Sequence, residues 1–145
     1  RYAWLRDGTK ISGATASTYE VRSKDRGPRI SVQVTGSRTG YVTRTVTSKR
    51  VKIEAPFSTA PVPKITGTTT VGSTLLVNAG SWIPAATLSY QWFADGVAIN
   101  NATAPQLALI ADYRDRMISV EVTARRSGNA TTTVRSPAVG PITGS

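Results

Sequence analysis

The chain has 145 residues, 39% of them apolar and 18% charged, with 12 Gly, 8 Pro and neither Cys nor His, a size that suits one or two small domains. Without thiols or imidazoles it cannot build a zinc finger, a Cys nucleophile, a haem axial His or a Ser-His-Asp triad, so no catalytic residue, metal or cofactor is expected. Apolar runs such as Leu107 to Ala111 fall far short of the ~20 residues a bilayer helix needs, and no charged-then-apolar leader is visible, so membrane insertion is not expected.

Eighteen Lys/Arg against eight Asp/Glu leave a net charge of +10, which attracts anionic partners generally. The excess is concentrated early. Residues 1–53 hold twelve basic and three acidic side chains, a net +9, while the remainder comes to +1.

In chain order, the first signals are Tyr2-Ala3-Trp4 and, directly after, Asp7-Gly8, a dipeptide suited to a type I′ hairpin turn because both residues tolerate positive φ. Four cations follow at one corner: Arg22, Lys24, Arg26 and Arg29. Ile30, Val32 and Val34 then alternate with Ser31, Gln33 and Thr35, the period of a strand with one face buried. A second cationic group, Arg44, Lys49, Arg50 and Lys52, lies along the last expected strand of this half. These eight residues are the candidate anion-binding set, although charge on an exposed strand also discourages edge pairing.

Residues 54–63, rich in Pro, read as an extended linker. Beyond them come Ile65 to Gly67, Val71-Gly72, a Gly80-Ser81-Trp82 turn, Tyr90-Gln91-Trp92, Asp95-Gly96, and Ile118, Val120 and Val122 alternating with polar residues. No window carries a helical stripe, and turn signals recur at the spacing of a β-sandwich. Trp4 and Trp92 are expected in cores; Trp82, in its turn, is expected either to cap the sandwich or to contact a glycan. Asp112 and Asp115, beside Arg114 and Arg116, are expected to cap a turn rather than hold Ca²⁺.

The two halves are copies. A shift of 88 lays Tyr2, Trp4, Asp7-Gly8, Ile11 and Ala14-Thr15-Ala16 on Tyr90, Trp92, Asp95-Gly96, Ile99 and Ala102-Thr103-Ala104. It also lays Ile30-Ser31-Val32 and Val34-Thr35 on Ile118-Ser119-Val120 and Val122-Thr123 without a gap. The first copy lacks the counterpart of about 32 residues that open the second. Its sheet is then expected to expose Trp4, Ile30, Val32 and Val34, unless the missing strands stand upstream in a parent protein or come from a neighbouring molecule.

The Tyr-x-Trp strand, the Asp-Gly hairpin and the Val-x-Val-Thr strand resemble the immunoglobulin-like repeats of secreted and cell-surface proteins of actinobacteria. Pro61-Val62-Pro63, Val71-Gly72-Ser73-Thr74-Leu75 and Gly80-Ser81-Trp82 add to the resemblance, while Gly128-Asn129 and the basic excess depart from it. It implies an all-β fold of tandem antiparallel sandwiches, with residues 1–53 as a partial repeat, 54–63 as linker and 64–145 as a complete repeat. It implies a non-catalytic spacer or adhesion module, secreted or on the cell surface. Neighbouring repeats of the same protein are the expected partners, with anionic cell-wall polymers or glycans for the cationic half. The alternatives are a carbohydrate-binding accessory module using Trp82, and a filament or virion subunit that self-associates by strand exchange. Nucleic acid is not expected, because stacking aromatics are not interleaved with the cations.

Overall fold

In a computed structural model, residues 1–144 are described, and they form two compact units. The first comprises Arg1–Ala55 with Ser127–Asn129, the second Pro56–Arg126 with Ala130 onwards. The fold is all-β and antiparallel in its sheets, as the alternating patterns predict.

The second unit has seven strands: β6 (Lys64–Thr66), β7 (Thr74–Asn78), β8 (Thr87–Ala94), β9 (Val97–Ala98), β10 (Gln106–Ala108), β11 (Ile118–Arg125) and β12 (Thr132–Arg135). They form a three-stranded sheet in the order β10-β7-β6 and a four-stranded sheet in the order β12-β11-β8-β9. This division of seven strands between two antiparallel sheets is the immunoglobulin-like sandwich.

Its core follows from the period of two. Trp92 on β8 and Ile118, Val120 and Val122 on β11 point inward from one sheet, with Val120 opposite Trp92 across the ladder. Leu75 on β7 and Leu107 on β10, also cross-strand partners, point inward from the other. Trp92 is fully buried, and its indole N–H donates to the Ala104 carbonyl at 2.9 Å, so its one polar atom is satisfied. A satellite cluster of Phe57, Trp82, Val122 and Ala124 closes one part of the core, with Phe57 and Trp82 edge to face at 5.2 Å between centroids.

Phe57 therefore belongs to the packed second unit, as does the fully buried Pro63. Most of the 54–63 stretch expected as an extended linker, from Pro56 to Pro63, is part of that unit, because its apolar residues find a core to enter.

The first unit is one sheet. Strands β1 (Tyr2–Arg6), β2 (Thr9–Lys10), β3 (Arg29–Gly36) and β4 (Arg44–Thr47) run in the order β2-β1-β3-β4, and β5 (Val51–Lys52) continues the pairing along β3. Its register repeats that of the second unit at the shift of 88. Trp4 faces Val32 as Trp92 faces Val120, and Val34 faces Val46 as Val122 faces Val134. Asp7 and Gly8 both have positive φ, 47° and 83°, and make the two-residue hairpin expected of them.

One further identity explains how the fourth strand is joined. The Ser48 hydroxyl accepts from the Val32 N–H at 3.0 Å, and the Ser136 hydroxyl accepts from the Val120 N–H at 3.0 Å. In both units a serine oxygen replaces a ladder carbonyl where the outer strand departs from its partner, so the Val32 and Val120 N–H groups keep an acceptor.

The two tryptophans of the second unit should respond differently to truncation. Trp92→Phe removes a satisfied hydrogen bond and volume from the centre, and should cost about 2–4 kcal/mol. Trp82 has no acceptor for its buried N–H among the described residues, so Trp82→Phe discards an uncompensated polar group and should cost less than about 1 kcal/mol. Urea unfolding of the full chain measures both, and equal losses would refute the distinction.

Candidate interaction site on the first unit

Trp82 is 6% exposed and packed against Phe57, so neither ring face is available to a sugar. The expectation of a glycan contact there is corrected: the indole fills a core position, because the turn that carries it folds inward over Val122 and Ala124.

All eight candidate cations lie on the first unit, and all are exposed. Arg22 and Lys24 sit at and inside a 3-10 turn over Ser23–Asp25, with Arg26 directly after it. Arg44 opens β4, while Lys49 and Arg50 occupy the connection to β5. The structure divides these residues differently from the two groups read along the chain. Arg29 and Lys52 are cross-strand partners on β3 and β5, which brings together one member of each expected group. Arg50 lies over the β1–β2 hairpin, its Nη2 close enough to Gly8 that a Cβ there would meet it at 3.0 Å. Lys52 also pairs with Glu54 at 3.3 Å.

Like charges directly opposite one another on a sheet are destabilising. At the same two places the second repeat has Met117 and Gly140. The first unit thus carries a repulsive pair that its sister copy does without.

A second polar feature of this unit lies where the sister copy is apolar. Arg6, Tyr19 and Asp25 occupy the positions of Ala94, Leu107 and Tyr113, all part of or packed on the core of the second unit. Asp25 is fully buried, and accepts from the Arg6 guanidinium, with Nε at 2.8 Å, from the Tyr19 hydroxyl at 2.9 Å and from the Arg22 backbone N–H at 2.8 Å. Tyr19 also stacks on Trp4, 5.6 Å between centroids. Sequence reading passed over this triad, though the shift of 88 carried the signal: three ionisable residues stand opposite three core positions.

Burial pushes the Asp25 carboxyl up, but the Arg22 N–H, the Arg6 and Tyr19 hydrogen bonds and the Arg6 charge outweigh it and hold the group below the ordinary carboxylate range. The Tyr19 hydroxyl is raised, by burial first and then by its donation to Asp25. Arg6, paired with a buried carboxylate, stays charged. The triad is a closed structural cluster, each partner committed to another, and offers no group free to act on a substrate.

Running along the same segment is a cleft of about 360 Å³, lined among others by Ile11, Ala14, Thr18, Tyr19, Glu20 and Arg22. Among the described residues, no group of three or more carboxylates could hold a metal ion, and no helix is long and apolar enough to cross a membrane.

No protein-family model matches the chain, and no curated protein matches it either. Among solved structures it is similar to one described as tandem Ig repeats of Dlar, with 17% identity and a TM-score of 0.29. That likeness covers 95% of this chain and 79% of the other. What makes the second unit immunoglobulin-like is its own strand order and buried central indole. The second unit has the fold of an immunoglobulin-like sandwich.

The pH dependence of the first unit follows from the triad. A carboxylate held low in the fold contributes stability that is present above the unfolded value of about 3.9 and lost as pH falls through the folded one. A tyrosine raised in the fold contributes stability present below about 10 and lost as pH rises through its folded value. Urea unfolding of the full chain, followed through the Trp4 indole N–H resonance, should show a plateau between about pH 5 and 9 with losses on both sides. Asp25→Asn should lower the plateau and flatten the acid side; an acid limb unchanged by that substitution would remove Asp25 as its cause.

Proposed function

We propose that the chain is a non-catalytic immunoglobulin-like spacer and adhesion module of a secreted or surface-attached bacterial protein, whose first unit engages anionic polymers. The observation that carries this reading is the cross-strand pairing of Arg29 with Lys52, two exposed cations in a unit already at high positive charge, where the sister repeat has Met117 and Gly140. Arg50 beside the hairpin and Lys49 before it extend the same exposed cationic surface. Clustered cations release counterions when they meet a polyanion, and this gain is indifferent to the polymer's sequence. The secreted or surface setting draws on the resemblance of the Tyr-x-Trp and Val-x-Val-Thr strands to exported repeats.

Poly(glycerol phosphate), a wall-type polyanion, is a direct probe. The full chain should bind it with an affinity that falls by about tenfold or more between 50 and 300 mM NaCl. Arg29→Glu combined with Lys52→Glu should weaken binding by at least about tenfold, whereas Arg125→Glu on the second unit should change it by less than about twofold. Salt-insensitive binding, or equal losses from the two units, would overturn the assignment.

A further inference from the structure

Across Trp4, Val32, Val34 and Val46, the inner face of the first unit's sheet is apolar and open. Val34 is 42% exposed where its counterpart Val122 is fully buried, and Val46 on β4 is 64% exposed. Trp4 and Val32 are half-buried, whereas Trp92 and Val120 are fully buried. Ile30 departs from the expectation of exposure: paired with Val51, it is buried.

The second unit shows what covers such a face. Ile65 on β6 and Val77 on β7 are cross-strand partners, as are Leu75 on β7 and Leu107 on β10, and Ile65, Leu75 and Val77 pack in the core that encloses Trp92. The edge that receives β7 is β10, with the Leu109 N–H donating to the Ser73 carbonyl just beyond it. In the first unit the counterparts of β10, Thr18 to Glu20, form no strand, and Val21 is 50% exposed where Leu109 is buried. This segment retains the β10 position but has no β7 to pair with, and the cleft of about 360 Å³ runs along it.

We propose that this face and the Thr18–Val21 edge form a docking surface for an antiparallel strand pair with the residue pattern of Lys64–Asn78, that is, the opening sheet of another repeat of this type. The β7-like strand adds to the Thr18–Val21 edge by main-chain hydrogen bonds, and residues at the places of Ile65, Leu75 and Val77 cover Trp4, Val32 and Val34. A second copy's open sheet is the poorer occupant. Face-to-face pairing would bring together two units of high positive charge and leave both Thr18–Val21 edges without a strand. The proposal stands apart from the polyanion reading, since it uses the inner face and not the exposed cations.

The test uses the full chain and a synthetic peptide of its own residues Phe57–Leu88, followed by amide hydrogen exchange. Exchange at Thr18–Val21 should slow by about tenfold or more at saturating peptide. Val34→Asp, at a position 42% exposed, should weaken the effect by at least about tenfold. A peptide carrying Leu75→Asp and Val77→Asp should be inert. To guard against an insoluble peptide, the same segment is also joined to the amino end of the chain through a flexible linker. No protection in either format overturns the proposal, as does protection that survives Leu75→Asp and Val77→Asp. Dimerisation of the chain alone that slows exchange on β3 would make a second copy the occupant, and would overturn it too.

Discussion

A β-sheet whose alternating side chains are apolar on one face is stable in water only when that face is covered, and the immunoglobulin-like plan answers this with a second sheet. In the second unit the answer is complete. Trp92 stands at the centre of one sheet, Leu75 and Leu107 close over it from the other, and the indole N–H is committed to the Ala104 carbonyl. Everything else in that unit serves this enclosure, including the satellite cluster around Trp82 and the serine that satisfies the Val120 N–H.

The first unit repeats the same register in a single sheet, and it places polar residues where its sister copy is apolar. Where the sister repeat places Ala94, Leu107 and Tyr113, it places Arg6, Tyr19 and Asp25, a triad whose buried carboxylate accepts from the Arg6 guanidinium through both Nε and Nη2, from the Tyr19 hydroxyl and from the Arg22 backbone N–H. A fully satisfied polar cluster holds its members in one geometry, because breaking any contact leaves a charge stranded out of water. This fastens the Thr18–Asp25 segment to β1 although no neighbouring strand holds it, and Tyr19 in turn shields one side of Trp4. The hydrogen bond of the Trp4 indole N–H to the Ala16 carbonyl matches that of Trp92 to Ala104, so this local architecture persists without the opposing sheet.

Charge divides the two copies as sharply as packing does. Twelve cations on the first 53 residues oppose compact folding by mutual repulsion, and the Arg29 and Lys52 pair adds to it locally. The second copy, nearly neutral, holds Arg116 against Asp95 at 3.4 Å and Arg135 against Glu121 at 2.8 Å. One plan thus supports two surfaces: a nearly neutral sandwich, and a strongly cationic single sheet.

The amino-acid sequence by itself determined the strands, the hairpins and the common register of the two copies. These depend on local rules: a side-chain period of two, positive φ at Asp-Gly, and an identity at a shift of 88 that carries one pairing pattern onto the other. It also pointed to an uncovered sheet, since the strands that would cover it have no counterpart in the first copy. The inward turn of Trp82, the entry of Phe57 and Pro63 into the second core, the meeting of Arg29 with Lys52 and the closure of Arg6, Tyr19 and Asp25 were decided only by the tertiary structure. Each depends on residues distant in sequence arriving within a few ångströms, and a side chain's exposure or partner is set by what packs against it and not by its neighbours along the chain.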